Sequence, residues 1–142
     1  MTSVKMNQRD EEYRNCTVLV TGGAGAIGSN LSRKLAEIGA AKVIILDDLS
    51  AAYEWNIPNL PNVLFVKGSI TSDIDLKRVF CEKPTYIFHL AAFFANQNSV
   101  DYPEQDLLVS QLGTIKVLEY AVLSGNIKRF VYAGSGCAIY GA

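Results

Sequence analysis

Cysteine is scarce in this 142-residue chain and poorly placed for crosslinking: Cys16, Cys81 and Cys137 are odd in number, widely separated and form no Cys-x-x-Cys pair. This excludes a disulfide framework and the usual zinc spacings, and Cys16 and Cys81 read as packing residues. An excess of basic charge is missing too. Lys and Arg total 13 against 14 Asp and Glu, for a net charge of -1, and the cations are scattered, so the electrostatic footprint of a nucleic-acid binder is absent. No uninterrupted apolar run approaches the roughly 18 residues of a membrane span. The opening stretch MTSVKMNQRDEEYRN is polar where a signal peptide would be apolar. The expectation is a cytoplasmic protein with no nucleic-acid and no membrane partner.

What is present is a chain 49% hydrophobic and 19% charged, the balance of one globular domain. Residues 1–14 lack apolar periodicity and read as a mobile or loosely docked polar tail, with the domain spanning 15–142. Strand-like and helix-like patterns alternate from there. TVLVT (17–21) precedes a helix with Ile27, Leu31, Leu35 and Ile38 at helical spacing, and KVIILD (42–47) follows. NVLFVKG (62–68), helical SDIDLKRVFCE (72–82), TYIFHLAA (85–92), a long helix from about Asp106 to Ser124, and KRFVYAGS (128–135) complete the order. Val43, Ile44, Ile45 and Leu46 are continuously apolar, as strands covered on both faces must be. The fold class is α/β, a doubly wound parallel sheet of about five strands in the order 3-2-1-4-5. Ligands of such sheets sit beyond the carboxyl ends of the strands, which makes the irregular segments 48–61 and 93–105 candidate binding walls.

Gly22, Gly25 and Gly28 stand three apart between the first strand and the first long helix. In that context the first glycine turns the chain off the strand, the second admits a pyrophosphate to the backbone, and the third lets helix pack on strand. The helix-start amides around Ala26 and Ile27 then face the phosphates. Asp47, 19 residues beyond Gly28 at the end of the next strand, is placed to accept hydrogen bonds from an adenosine ribose. Its charge would repel a 2'-phosphate, which favours NAD over NADP.

The segments TGGAGAIGSNL, LDDLS, FHLAA, LGTIKVLEYA and RFVYAGS, in this order, resemble the extended short-chain dehydrogenase/reductases, in particular the nucleotide-sugar epimerases and dehydratases. The likeness runs from about Thr17 to Gly141. It implies a Rossmann-like domain in which Gly22, Gly25, Ala26, Ile27 and Gly28 hold the pyrophosphate of NAD and Asp47 the ribose. Asp48, Leu49 and Ser50 would form the wall beside it, and Leu90, Ala91 and Ala92 would line the diphosphate and nicotinamide ribose. His89, alone on a buried strand, reads as structural. Two positions depart from the family pattern. Where relatives read Gly-Asp-hydrophobic, with the aspartate on the adenine amino group, this chain has Gly68-Ser69-Ile70, so Ser69 and Ile70 are the candidates there. Ser110 replaces the asparagine of an Asn-x-x-Gly-Thr pattern on the long helix.

Family catalysis implies a Tyr-x-x-x-Lys pair assisted by a hydroxyl residue after the fifth strand. Ser135 is the candidate for that hydroxyl, since counting back from Tyr140 selects Gly136, which has no side chain to offer. No tyrosine has lysine four residues on within the chain. The likeness therefore implies the cofactor half of an enzyme, ending before the sixth strand and the substrate domain and inactive alone. A Cys137 nucleophile would have only His89 as base, which disfavours covalent catalysis. The resemblance further implies a nucleotide-sugar substrate and a possible homodimer through the long helix. Two alternatives stay open: a non-catalytic dinucleotide-binding module, and a reductase acting on a non-sugar carbonyl.

Overall fold

The computed structural model describes residues 8–93 and 96–135. A short helix α1 (Gln8–Glu11) leads into β1 (Thr17–Thr21), α2 (Ala26–Glu37), β2 (Lys42–Asp47) and β3 (Val63–Lys67). The chain continues through α3 (Asp73–Phe80), β4 (Tyr86–His89), α4 (Asn96–Asp101) and α5 (Pro103–Asp106). A π-helical stretch Leu107–Gly113 then runs into α6 (Thr114–Ser124), and β5 (Arg129–Tyr132) follows. The five strands form one sheet in the order β3-β2-β1-β4-β5, every pair parallel, as the apolar strand runs lead one to expect.

The period-two alternation of side chains along a strand divides the core in two. Leu19, Ile44, Leu46, Val66 and Ile87 point to one face and pack on Leu76, Val79 and Phe80 of α3 and Val117 and Ala121 of α6. Val18, Val20 and Val43 point to the other and meet Leu35, Ala36 and Ile38 of the α2 region. The inner face of α2 differs from the periodicity reading. Ile27 is 74% exposed, and the buried residues of α2 are Gly28, Ser29, Ser32, Leu35 and Ala36. The first turn thus approaches the sheet through small residues, because Gly28 lets it come close. At the amino end, Tyr13 packs edge-on against Tyr86 at 5.0 Å between ring centroids, so the segment just before β1 is docked on the sheet.

The long helix corrects a further expectation. Pro103–Ser124 forms a continuous helical run of 22 residues that is, by length and composition alone, apolar enough to cross a membrane. Ser110, Lys116 and Glu119 interrupt it in sequence, which is why no uninterrupted apolar stretch is visible there. In the fold, Gly113, Val117 and Ala121 face inward, while Leu112, Ile115, Leu118, Val122 and Leu123 are exposed.

Beyond β1 the chain winds outward through β2 and β3. It then returns to the other side of β1 for β4 and β5, so the crevice opens beyond the carboxyl ends of β1 and β4. This reversal of winding is where doubly wound sheets place their ligands.

Candidate functional site: a cavity at the strand reversal

A cavity of about 320 Å³ lies at that reversal, lined by Gly22, Gly25, Ala26, Asp47, Asp48, Ser50, Ser69, Ile70, Leu90, Ala91 and Ala92, and also by Leu46, Ala51, Ala52, Gly68, Phe93 and Val109. Two glycines at or behind this wall, Gly22 and Gly28, are sterically required. Gly22 has φ +67°, and a β-carbon there would lie 2.7 Å from the Ala91 amide nitrogen; both the left-handed backbone and the close approach of the β4 loop demand glycine. A β-carbon on Gly28 would strike the Gly22 carbonyl oxygen and come within 2.7 Å of the Gly23 α-carbon.

The start of α2 is left open by the same residues. Its N-cap is Gly25, which has no side chain to cap with, and no acidic residue occupies the first turn. The first ladder bond runs from the Ser29 amide to the Gly25 carbonyl at 2.9 Å. The amides of Ala26, Ile27 and Gly28 precede that bond, and the partial positive charge of the helix start meets no protein carboxylate within its own turn. Such a terminus is suited to an anion.

Asp47 closes the glycine loop as well as facing the cavity. Its Oδ2 accepts from the Ala24 amide and its Oδ1 from the Leu49 amide, both at 2.9 Å. A carboxylate has about four lone-pair sites, so each oxygen keeps one for a ligand hydroxyl. Leu49, held at φ +64°, is part of that turn, whose next amide, of Ser50, donates to Asp48 Oδ1 at 2.8 Å. The chain then folds back, and Asn56 Nδ2 donates to the Ala24 carbonyl at 3.0 Å, beside a stacked Tyr53–Trp55 pair.

The opposite wall rests on a directed chain of hydrogen bonds. Thr114 Oγ1 donates to the Ser110 carbonyl at 2.7 Å, so its oxygen must accept from His89 Nε2 at 2.9 Å. The proton thus sits on Nε2, and bare Nδ1 accepts from the Thr21 hydroxyl at 2.7 Å. Thr21 Oγ1 in turn accepts from the Ala91 amide at 3.3 Å. Burial pushes the His89 pKa down to about 4, which keeps the ring neutral and the chain intact. The imidazole is therefore a strut that fixes Ala91 over Gly22.

Ser110 donates to Asp106 Oδ1 at 2.7 Å and accepts from the Phe93 amide at 3.1 Å. It reaches the cavity through Phe93, which it pins. Of the other candidates, Ile27, Gly28 and Leu49 also stand outside the lining. Ser135 lies exposed three residues beyond β5, away from the lining of this cavity. Gly136, Cys137 and Tyr140 lie outside the described residues. Sequence reasoning missed Leu46, Ala51, Ala52, Gly68, Phe93 and Val109. Leu46, Ala51, Gly68 and Phe93 adjoin residues that it named, and Ala51, Ala52 and Phe93 fall in the irregular segments 48–61 and 93–105 that it gave as candidate walls. Val109 comes from the distant π-helical stretch, which no local pattern announces.

A sequence model described as the NAD dependent epimerase/dehydratase family matches residues 18–142. A UDP-glucose 4-epimerase of Mycolicibacterium smegmatis is 42% identical over 127 residues, covering 87% of this chain and 40% of that protein. The solved structure of an epimerase from the methanogen Methanothermobacter thermautotrophicus is 63% identical with a TM-score of 0.90, over 93% of this chain and 39% of that one. The Bordetella bronchiseptica enzyme WbmF, solved in complex with NAD+, is 36% identical with a TM-score of 0.83, over 89% of this chain and 38% of its own. The chain thus spans about two fifths of the length of these proteins.

Proposed function

Because the chain belongs to the NAD-dependent epimerase/dehydratase family, we propose that it is the cofactor-holding part of an enzyme that epimerises or dehydrates a nucleotide-sugar, with NAD as the bound dinucleotide. One observation carries the reading: the sterically required Gly22, the uncapped start of α2 at Gly25 and Ala26, and the Asp47 carboxylate meet around a single cavity. The amides of Ala26 and Ile27 would hold the pyrophosphate, the free lone pairs of Asp47 the adenosine ribose, and Ala91, fixed by Thr21, the wall beside the nicotinamide half. When bound, NAD supplies a hydride acceptor that takes hydrogen from a sugar carbon and gives it back.

Ser135 would bind the reacting sugar hydroxyl, and the absence of a Tyr-x-x-x-Lys pair within the chain makes these 142 residues inactive by themselves. The exposed apolar side of α6 supports a homodimer contact along that helix. The free thiols of Cys16 and Cys81 support a reducing, cytoplasmic setting.

Titration calorimetry with NAD and NADP tests the reading. NAD binds, and NADP binds at least about tenfold more weakly because its 2'-phosphate meets Asp47. Trp55, the only tryptophan of the chain, sits on the loop tied to Ala24 and gives an independent fluorescence signal. Absence of binding by either dinucleotide overturns the reading, and turnover of UDP-glucose by the 142-residue chain overturns the assignment of inactivity.

A further inference from the structure

The end of the cavity beyond Asp47 is lined by Ser69, whose hydroxyl is paired with that of Thr71. Strand β3 lies beside β2, with Asp47 opposite Lys67 and the Gly68 amide donating to the Asp47 carbonyl at 3.1 Å. A nucleotide whose ribose meets Asp47 therefore lays its base over Gly68, Ser69 and Ile70. Ile70 and Val109 offer it apolar contact, and Ser69 brings the side-chain hydroxyl of that loop. The nearby carboxylate, Asp75, is turned behind the loop: its Oδ2 accepts from the Ser69 amide at 3.0 Å, and it does not line the cavity.

Resting on the dinucleotide reading above, we propose that the Ser69–Thr71 hydroxyl pair is a base-specificity element that takes a 6-oxopurine as readily as a 6-aminopurine. The Thr71 amide donates to Ser69 Oγ at 3.2 Å, and the two hydroxyl oxygens lie 2.9 Å apart with either able to donate. If Ser69 donates to Thr71, one lone pair of Ser69 remains for an exocyclic amino group. If Thr71 donates to Ser69, both lone pairs are used and the Ser69 proton turns toward an exocyclic carbonyl. At the exocyclic group the change needs only two hydroxyl rotations. The backbone is held from the far side, where Lys116 Nζ donates to the Thr71 carbonyl at 3.0 Å. A carboxylate at position 69 could only accept, so it would favour the amino base and repel the carbonyl one.

The experiment is calorimetry on the 142-residue chain near neutral pH with NAD and with nicotinamide hypoxanthine dinucleotide. The two affinities agree within about threefold. Ser69→Asp shifts the balance to NAD by about tenfold or more, and Ser69→Ala weakens both ligands alike. Wild-type protein that binds NAD yet prefers it by about tenfold or more overturns the proposal and leaves the dinucleotide reading standing. Binding of neither ligand overturns both. If Ser69→Asp fails to fold, the wild-type ratio together with the parallel loss in Ser69→Ala decides the matter.

Discussion

A β-carbon on Gly28 would meet only backbone, the Gly22 carbonyl and the Gly23 α-carbon, and backbone cannot rotate out of the way as a side chain can. Gly28→Ala is therefore expected to lower unfolding stability by about 1–3 kcal/mol, the usual cost of overpacking, as read by urea denaturation. Gly25 differs in kind: its φ is −68°, and its added carbon would touch only the Gly22 carbonyl oxygen at 3.3 Å. Gly25→Ala should cost less than about 1 kcal/mol of stability yet weaken NAD binding by about tenfold or more, since its methyl would intrude where the proposed function puts the pyrophosphate. Equal loss of stability in both variants would show that Gly25 serves the fold and not the ligand. Asp47 teaches a related lesson at this scale. Its spacing from the glycines marks it as the candidate ribose acceptor, but its bonds to the Ala24 and Leu49 amides depend on a turn that only the folded chain creates.

At the scale of elements, His89 connects β1, β4 and the start of α6 through Thr21 and Thr114. Its pKa falls from an ordinary 6.5 to about 4 because burial opposes the charged ring. The unfolded chain therefore binds a proton that the folded one refuses. Stability is complete above pH 6.5 and declines as pH falls toward 4, by about 1.4 kcal/mol per unit and about 3 kcal/mol in all. His89 is the only histidine, and ordinary carboxylates titrate near or below the lower bound of that window. Urea unfolding between pH 5 and 6.5 therefore reads this one ring. His89→Gln should flatten the slope, and a slope that persists in the variant would refute the assignment. In wild type, imidazole nitrogen shifts should show the proton on Nε2. The sequence marked His89 as structural by its place in a buried strand. It could not show that the ring's partners come from positions 21 and 114, because those contacts form only when β1, β4 and α6 assemble.

For the whole molecule, helices cover both faces of the central strands, but the helical run ending in α6 leaves an apolar side uncovered: Val122 is 79% and Leu123 81% exposed, with Leu112, Ile115 and Leu118 beside them. Scattered apolar residues are ordinary on a surface, whereas a contiguous row is not. The 142-residue chain should therefore self-associate with rising concentration in sedimentation velocity. Leu118→Glu combined with Val122→Lys should weaken that association by about tenfold or more without lowering the unfolding midpoint. A monomer at all concentrations would refute the prediction.

The alternation of strands and helices, the burial of the strands on both faces and the place of the glycine loop were determined by sequence alone, because apolar runs, helical periods and glycine spacing are local patterns that survive any tertiary arrangement. The folded structure alone decided that Ile27 faces solvent, that Ser110 holds the Phe93 amide, and that Ser69 and Thr71 share a hydrogen bond. Each of these depends on which backbone comes within 3 or 4 Å of which, and on how small a residue must be to let it.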